Sequence, residues 1–177
     1  KKRLTTEIKV AQFSGYVSEH SCYHHGEESL NQAIVGMAQN FIGSNNINLL
    51  FPSGQFGSRI KGGKDASSPR YIFTRLEKIT RRIFIEQDDN VLKYLSDDGT
   101  PVEPQFYVPI IPMVLVNGSK GIGTGFSTEI MCYNPTEIIM YLKNKLSQVS
   151  DLHVETSNHN TFEFNPYYED FKGTIQK

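Results

Sequence analysis

An arginine–tyrosine pair, Arg70-Tyr71, is the part of the sequence best suited to nucleophilic chemistry. A phenol with a pKa of about 10 is a weak nucleophile at neutral pH, so a helix N-terminus, a neighbouring cation or a base must activate it. Ser68-Pro69 is typical of an N-cap and first helical residue, which predicts Tyr71 in the first turn of a helix. Such a tyrosine could attack a phosphodiester while Arg70 gripped the phosphate oxygens. A tyrosine that only packs beside a surface arginine is the commoner case, and the pair alone does not exclude it.

Two histidines lie in the polar segment Tyr23-His24-His25-Gly26. One imidazole could accept the phenolic proton or bind a phosphate. His20 and His24 are also four residues apart with Cys22 between them, so a zinc site is an alternative, although no second ligand pair has a suitable spacing. Ordinary polar histidines in a turn are the third interpretation. Neither cysteine of the chain belongs to a paired ligand motif, which indicates a reducing compartment.

Basic side chains are concentrated in residues 54–82, which contain eight of them against two acidic ones, whereas the whole chain has a net charge of −1. A local basic segment is typical of a nucleic-acid surface, but it also fits a solvated helix face and a loop. The sequence contains neither an apolar run of membrane-spanning length nor a signal peptide, so we expect a soluble protein without a membrane partner.

Two glycine-rich segments resemble ligand-binding loops only in part. Gly62-Gly63-Lys64 has Ser58 and Asp65 where a nucleotide P-loop requires glycine and Ser or Thr, so we reject that interpretation. Gly121-Ile122-Gly123-Thr124-Gly125 lacks the dinucleotide-binding spacing. An apolar side chain between glycines could instead be an exposed wedge that unstacks base pairs, or a buried residue in a tight turn.

The first half of the chain predicts a helix-turn-helix unit. A short helix over residues 9–19 is followed by an amphipathic helix that we expect to end near Gly43. The apolar face of the second helix comprises Leu30, Ile34, Met37, Ala38 and Phe41. Two helices joined by a short turn that contains glycine are typical of this motif.

The second half predicts further elements. A helix that starts at Ser68 should place four apolar side chains inward, namely Ile72, Leu76, Ile79 and Ile83. Asp97-Asp98-Gly99-Thr100 is typical of a hairpin turn. Two prolines in residues 107–116 indicate an edge or irregular strand, and residues 118–125 indicate a glycine-rich turn. Pro135 should open another helix.

Eight short motifs follow one another along the chain: Lys9-Val10-Ala11-Gln12, Tyr23-His24-His25-Gly26, Ala38-Gln39-Asn40-Phe41, Gly43-Ser44-Asn45-Asn46, Gly54-Gln55-Phe56-Gly57, Gly62-Gly63-Lys64-Asp65, Ser68-Pro69-Arg70-Tyr71-Ile72-Phe73-Thr74 and Pro109-Ile110-Ile111-Pro112-Met113-Val114-Leu115. Together they resemble the breakage-reunion region of eukaryotic-type (type IIA) DNA topoisomerase II. The resemblance covers about residues 7 to 145, and a last motif matches at 171–175.

The resemblance implies an α+β fold, with a winged-helix domain of the catabolite-activator type in residues 1–120 and the beginning of an α/β tower domain in residues 121–177. It implies that Tyr71 forms a 5′-phosphotyrosyl link and that Arg70 stabilises the transition state. His25 matches the histidine near the tyrosine and the scissile phosphate, and Ile122 matches the isoleucine that intercalates and bends DNA. It also implies a set of further DNA-binding residues, namely His24, Asn46, Gln55, Arg59, Lys61 and Lys64.

The resemblance further implies a fragment of an ATP-dependent enzyme that works on double-stranded DNA as a homodimer. Mg²⁺ and ATP would be bound by domains outside this chain, and the fragment alone would be largely inactive. Phe126 stands where the animal enzymes carry tryptophan, so a divergent eukaryote or a large DNA virus is the expected source. The location would be the nucleus of a cellular eukaryote, or the host cytoplasm or nucleus for a viral enzyme.

Of two other functions considered, a non-catalytic binding module remains the alternative and a tyrosine recombinase does not. A winged-helix module that binds DNA without catalysis would need neither the Arg-Tyr pair nor a nearby histidine. A tyrosine recombinase would need several arginines and a histidine before its tyrosine, in a pattern that this sequence lacks.

Overall fold

The computed structural model describes residues 3–150 and 162–176. Within these ranges the fold is α+β and contains antiparallel strand pairs and mostly short helices. The strands are β1 (Ile8–Lys9), β2 (Phe73–Thr74), β3 (Tyr94–Asp97), β4 (Thr100–Pro104), β5 (Ser119–Gly123) and β6 (Phe126–Ile130), paired as β1–β2, β3–β4 and β5–β6. The helices are α1 (Val10–Ser21), α2 (Glu27–Ala38), α3 (Thr80–Ile83), α4 (Met113–Val116) and α5 (Pro135–Ser150), with a 3₁₀ helix at Glu86–Asn90.

Helices α1 and α2 form the predicted helix-turn-helix unit. Helix α1 ends where Cys22 adopts a left-handed conformation with φ of 51°. Helix α2 follows Gly26 and carries two glutamates in its first turn, where the helix dipole favours acidic side chains. It ends at Ala38, earlier than predicted, because Gln39 is extended and directs its side chain to carbonyl groups of a neighbouring loop.

The first hydrophobic core lies between this unit, Leu4 before it and residues 50–72 after it. Its buried side chains are Leu4, Val10, Leu30, Ile34, Ala38, Leu50, Phe56 and Ile72. Strands β1 and β2 pair through Ile8 with Thr74 and Lys9 with Phe73, which ties the start of α1 to the middle of the chain. Leu30, Ile34 and Ala38 face inward as predicted, whereas Met37 is exposed and Phe41 lies beyond the end of α2.

The helix predicted to start at Ser68 is wrong. Residues 68–71 form a turn in which the Tyr71 N–H donates to the Ser68 carbonyl at 2.9 Å. The chain then becomes extended, because Phe73 exchanges backbone hydrogen bonds with Ser53 and Ile72 is buried in the core at 2% exposure. Pairing across strands therefore replaces the helix that the local cap signal favoured, and helical structure begins only at Thr80.

The second hydrophobic core joins α3, α4 and α5 through Ile83, Ile111, Val116 and Ile138. It combines residues on both sides of the domain boundary that we predicted near residue 120, and that boundary stays a prediction. Part of the predicted tower domain, residues 151–161, lies outside the described residues.

Three further expectations can be compared with the fold. The turn at residues 97–100 is confirmed, since Asp98 and Gly99 both have positive φ at the end of the β3–β4 hairpin. The helix that Pro135 opens is also confirmed. The irregular strand predicted at 107–116 is wrong at its end, because Met113–Val116 is helical. The glycine-rich turn predicted at 118–125 is also mostly wrong, because Ser119–Gly123 is a strand. No helix in the described ranges combines the length and the apolar character needed to cross a membrane.

Candidate active site

The turn that carries Arg70 and Tyr71 lies against the N-terminal end of α1. The Val10 N–H donates to the Ile72 carbonyl at 3.0 Å, and the Ala11 N–H donates to the Pro69 carbonyl at 3.1 Å. These two donors belong to the group that the start of a helix leaves without intrahelical partners. Tyr71 is therefore not in the first turn of its own helix but beside the positive end of α1. The backbone of the turn is fixed, while the Arg70 side chain is exposed and Tyr71 is 72% exposed.

A cleft connects Arg70 with the beginning of α2. One wall contains Glu27, Glu28 and Asn31, and the other contains the segment from Ser68 to Arg70. A larger groove of about 680 Å³ runs on along α2, opposite residues 62–69. The second helix of the helix-turn-helix unit thus forms a continuous wall from the basic loop to Arg70.

The two histidines of the turn before α2 have different neighbours. His25 packs edge-on against Tyr23, with ring centroids 5.4 Å apart, and precedes the residues of α2 that line the Arg70 cleft. The Nε2 atom of His24 lies 3.7 Å from a carboxylate oxygen of Asp97, at the tip of the β3–β4 hairpin. Both imidazoles are exposed. In the described part of the chain no three His, Cys, Asp or Glu side chains are grouped as a metal site requires, so the zinc alternative gains no support.

Residues 58–65 form a closed loop that presents the predicted phosphate-binding cations. The N–H and the hydroxyl of Ser58 each donate to the Asp65 carboxylate at 2.8 Å. These hydrogen bonds lower the pKa of Asp65 below its ordinary value. The hydrogen bond from the Ser58 hydroxyl has the larger effect, and that from the Ser58 N–H the smaller. The exposed residues between the two ends are Arg59, Ile60, Lys61, Gly62 and Lys64. Ile60 is 91% exposed between two cations, a feature that sequence reasoning did not single out.

Gln39 supports this loop from the end of α2. Its Nε2 atom donates to the Phe56 carbonyl at 2.9 Å and to the Gly63 carbonyl at 3.2 Å. The loop is also tight, because a Cβ atom added at Gly57 would lie 2.6 Å from the Gly63 backbone. Sequence reasoning did not identify Gln39 as a support. Its only signal was a polar residue directly after the apolar face of α2.

The basic segment 54–82 does not form a single surface. Arg75 lies over the Phe51 ring at 4.1 Å, and Arg81 forms an ion pair with Asp89 at 2.8 Å. The cations that remain exposed around the loop and the tyrosine are Arg59, Lys61, Lys64 and Arg70. Gln55 is exposed near them, and its carbonyl accepts a hydrogen bond from the Ser67 N–H at 2.9 Å. Lys61, Lys64 and Arg70 thus face solvent, whereas Arg59, although exposed, also lies over the Phe171 ring at 5.6 Å.

Ile122 lies near the tip of the β5–β6 hairpin. It is 86% exposed, so it is not the buried residue of a tight turn that the sequence allowed as an alternative. Phe126, at the same tip, is 84% exposed. The register pairs Ile122 with Ser127 and Gly123 with Phe126, which puts the two apolar side chains on opposite faces of the hairpin. Sequence reasoning noted Phe126 only as a departure from the animal enzymes.

Asn46 has a different environment from the one expected of a DNA-binding residue. Its side-chain Nδ2 donates to the carbonyl groups of Val116, Tyr133 and Tyr167 at 2.9, 3.2 and 3.1 Å. Its Oδ1 accepts a hydrogen bond from the Glu169 N–H at 2.9 Å. Because the amide is used within the chain, we leave Asn46 out of the proposed DNA surface.

Comparison with known proteins places this geometry in a family. The family of the DNA gyrase/topoisomerase IV A subunits matches residues 1–177, which is the whole chain. The chain belongs to this family. The resemblance to eukaryotic-type DNA topoisomerase II, drawn from the motifs between residues 7 and 145, is thereby confirmed and extended over the full sequence.

Individual relatives are similar to the chain along its length. DNA topoisomerase 2 of Pisum sativum is 55% identical over 177 residues, which are 100% of this chain and 11% of that protein. The mitochondrial DNA topoisomerase 2 of Dictyostelium discoideum is 53% identical over 175 residues, or 99% of this chain and 13% of that protein. The chain thus corresponds to a small part of each relative. Both come from cellular eukaryotes, and a viral source gains no support.

A solved structure has the same fold. The crystal structure of the Plasmodium falciparum topoisomerase II DNA-binding, cleavage and re-ligation domain matches with a TM-score of 0.89 and 53% sequence identity. The match covers 98% of this chain and 22% of the other. The α+β fold class is therefore confirmed, and the α1–α2 unit is consistent with the winged helix expected for the family.

Proposed function

We propose that this chain is the part of an ATP-dependent type II DNA topoisomerase that carries the nucleophile, Tyr71. The observation that supports this proposal is the turn at 68–71, whose backbone is fixed by N–H groups of α1 while Arg70 and Tyr71 stay exposed. A nucleophile for a large substrate must be accessible and held in a defined position. The groove along α2 ends at the same turn, so the turn is open to a ligand that extends along this helix.

The proposed reaction exchanges one phosphate ester for another. The Tyr71 Oη atom attacks phosphorus, its bond to phosphorus forms, and the bond from phosphorus to the 3′ oxygen breaks. The phenolic proton passes to a base, for which His25 is the candidate, and the departing 3′ oxygen takes up a proton. Arg70 stabilises the negative charge that develops on the phosphoryl oxygens. Because one ester replaces another, the step is reversible without added energy.

The proposed DNA surface combines cations with an apolar wedge. Helix α2 lies along the major groove, as the second helix of a helix-turn-helix unit does. The residues proposed to contact the duplex beside it are His24, Gln55, Arg59, Lys61 and Lys64. Ile122 enters a base step from the β5–β6 hairpin and bends the duplex.

The remaining parts of the proposal concern the complete protein. It would act on double-stranded DNA as a homodimer in the nucleus, or in mitochondria, since one relative is named as mitochondrial. Residues 1–120 would form the winged-helix domain and residues 121–177 the beginning of the tower. Mg²⁺ and ATP would be bound elsewhere in the complete protein, and no step proposed here passes through a metal held by this chain.

The variant Tyr71→Phe in the complete enzyme tests the proposal. We expect covalent protein–DNA complex to fall to background on denaturing gels of labelled DNA, while non-covalent binding persists. Tyr107→Phe, which alters another exposed tyrosine, should keep the covalent complex. Covalent complex at the wild-type level in Tyr71→Phe would exclude Tyr71 as the nucleophile. DNA binding by the wild-type enzyme without any covalent complex would instead favour the non-catalytic binding module.

A further inference from the structure

The direction of the β5–β6 hairpin is set at its base. The strand residues from Ser119 to Glu129 are exposed, so no packed face of the hairpin fixes its orientation. The two legs are close together, because a Cβ atom added at Gly118 would lie 2.6 Å from the Ile130 carbonyl oxygen. The contacts that hold the legs on the rest of the protein therefore decide where the tip lies.

Asn117, two residues before β5, attaches the first leg to the helix-turn-helix side of the molecule. Its Oδ1 accepts a hydrogen bond from the Ile47 N–H at 2.9 Å, and its Nδ2 donates to the Ile47 carbonyl at 2.8 Å. This reciprocal pair copies the pattern of two paired strand residues. It fixes both the position and the rotation of the Asn117 side chain.

Asn46 attaches both legs at once. Its Nδ2 donates to the carbonyl of Val116, which precedes the hairpin, and to that of Tyr133, which follows it. The Tyr133 N–H in turn donates to the Leu115 carbonyl at 2.8 Å. Asn46 and Ile47 are neighbours in the chain, so one short segment after α2 contacts both legs of the hairpin base, beside the Tyr167 N–H that donates to the Cys132 carbonyl at 2.7 Å.

We propose that Asn46 and Asn117 are positioning residues that aim the β5–β6 hairpin, and with it Ile122, at the duplex. The inference rests on the proposed role of Ile122 as a wedge. Five residues of extended chain separate Asn117 from Ile122, about 16 Å, so a tilt of about 10° at the base would move the tip by roughly 3 Å. An error of about 1 Å in the position of a reacting group can lower a rate by about a hundredfold.

The experiment uses Asn117→Ala and Asn117→Asp in the complete enzyme. DNA bending is measured by energy transfer between dyes at the ends of a duplex, beside the Kd and the yield of covalent complex. For Asn117→Ala we expect less bending and about a tenfold loss of covalent complex, with Kd changed by less than about twofold. Asn117→Asp should lie between Asn117→Ala and wild type, since its carboxylate can still accept from the Ile47 N–H but cannot donate to the carbonyl.

Asn45→Ala is the matched control. Asn45 also uses its amide for two backbone hydrogen bonds, to the Gly36 carbonyl at 2.7 Å and the Gln39 carbonyl at 2.8 Å, but it does not contact the hairpin base. A purely structural role would make Asn45→Ala and Asn117→Ala equal in melting temperature and in bending. We expect similar melting temperatures but normal bending only in Asn45→Ala.

Ile122→Ala separates the proposed wedge role of Ile122 from the proposed positioning role of Asn117. If Ile122→Ala loses bending while both Asn117 variants bend DNA normally, the positioning role is overturned and the wedge stands. If Ile122→Ala itself bends normally, the wedge and the positioning role both fall. Should Asn117→Ala fail to fold, normal bending by Asn117→Asp would still overturn the inference.

Discussion

The loop at residues 58–65 and the β5–β6 hairpin both offer exposed side chains to the proposed DNA partner, yet they are held in different ways. The loop is closed on itself by the Ser58–Asp65 hydrogen bonds and supported from α2 by Gln39. The hairpin is exposed along its strands and held at its base.

The difference matches the proposed contacts, since the loop is proposed to bind phosphates and the hairpin to insert a side chain between bases. Phosphate contacts fix the register of a protein on the duplex, so cations on a braced loop keep a constant spacing. A wedge must reach into a base step, which costs a few kcal/mol and is offset by wider contact with bent DNA. An arm with an apolar tip and a firm base suits this second task.

The largest effect should come from breaking the tight closure of the loop. Gly57→Ala forces a side chain into a backbone conformation with φ of 104° and within 2.6 Å of the Gly63 backbone. We expect a loss of about 2–5 kcal/mol in the free energy of unfolding, measured by denaturant titration. Gly62→Ala is the control, because its φ is 58° and no atom lies within 4 Å of the added Cβ. It should cost only about 1–2 kcal/mol, and equal losses for the two variants would contradict the tight closure.

Ile122→Ala, at the hairpin tip, should affect DNA bending without affecting the stability of the fold. Because the side chain is exposed, the free energy of unfolding should change by less than about 0.5 kcal/mol, while DNA bending and cleavage fall more than binding. Ile34→Ala, in the first core, should instead lose about 2–5 kcal/mol of stability. Energy transfer and thermal unfolding measure the two effects. Normal bending with a large drop in stability would end the wedge hypothesis.

A smaller effect is expected when one cation is removed from the loop. Affinity for DNA falls as salt rises, and Lys64→Ala should make this dependence shallower. The log–log slope should decrease in magnitude by about one, because one phosphate contact is lost. Binding titrations between low and moderate salt measure this slope. Lys143→Ala, an exposed lysine on α5, should leave it unchanged. An unchanged slope in Lys64→Ala would place Lys64 off the DNA.

The smallest effect concerns the bond that closes the loop. Asp65→Ala removes the acceptor of both Ser58 hydrogen bonds, so the loop should open locally more often while the cores stay folded. We expect trypsin to cleave severalfold faster after Lys61. Asp98→Ala, in the turn of the β3–β4 hairpin, should not change that rate. Equal cleavage of wild type and Asp65→Ala would show that other contacts hold the loop closed.

Much of the fold could be read from local patterns. The inward face of α2 follows from residues three and four apart, and the β3–β4 turn follows from Asp98-Gly99, since both positions need positive φ. The family follows from the order of the motifs. The candidate site residues could be proposed in the same way, but their surroundings could not, because Gln39 carries only the weak signal of a polar residue after an apolar face and Asn117 carries none.

The sequence by itself determined which chemical groups the protein offers: the Arg70-Tyr71 pair, the cations of the loop and an isoleucine between glycines. Only the tertiary structure decided how they are presented. The cap signal at Ser68 favoured a helix, but Val10, Ala11 and Ser53 supply backbone partners that stabilise a turn and a strand instead. Asn46 likewise matched a DNA-lining segment, yet its amide is used at the hairpin base. A cap or a motif reflects only the energies of neighbouring residues, whereas buried backbone and amide groups must find partners wherever the fold brings them.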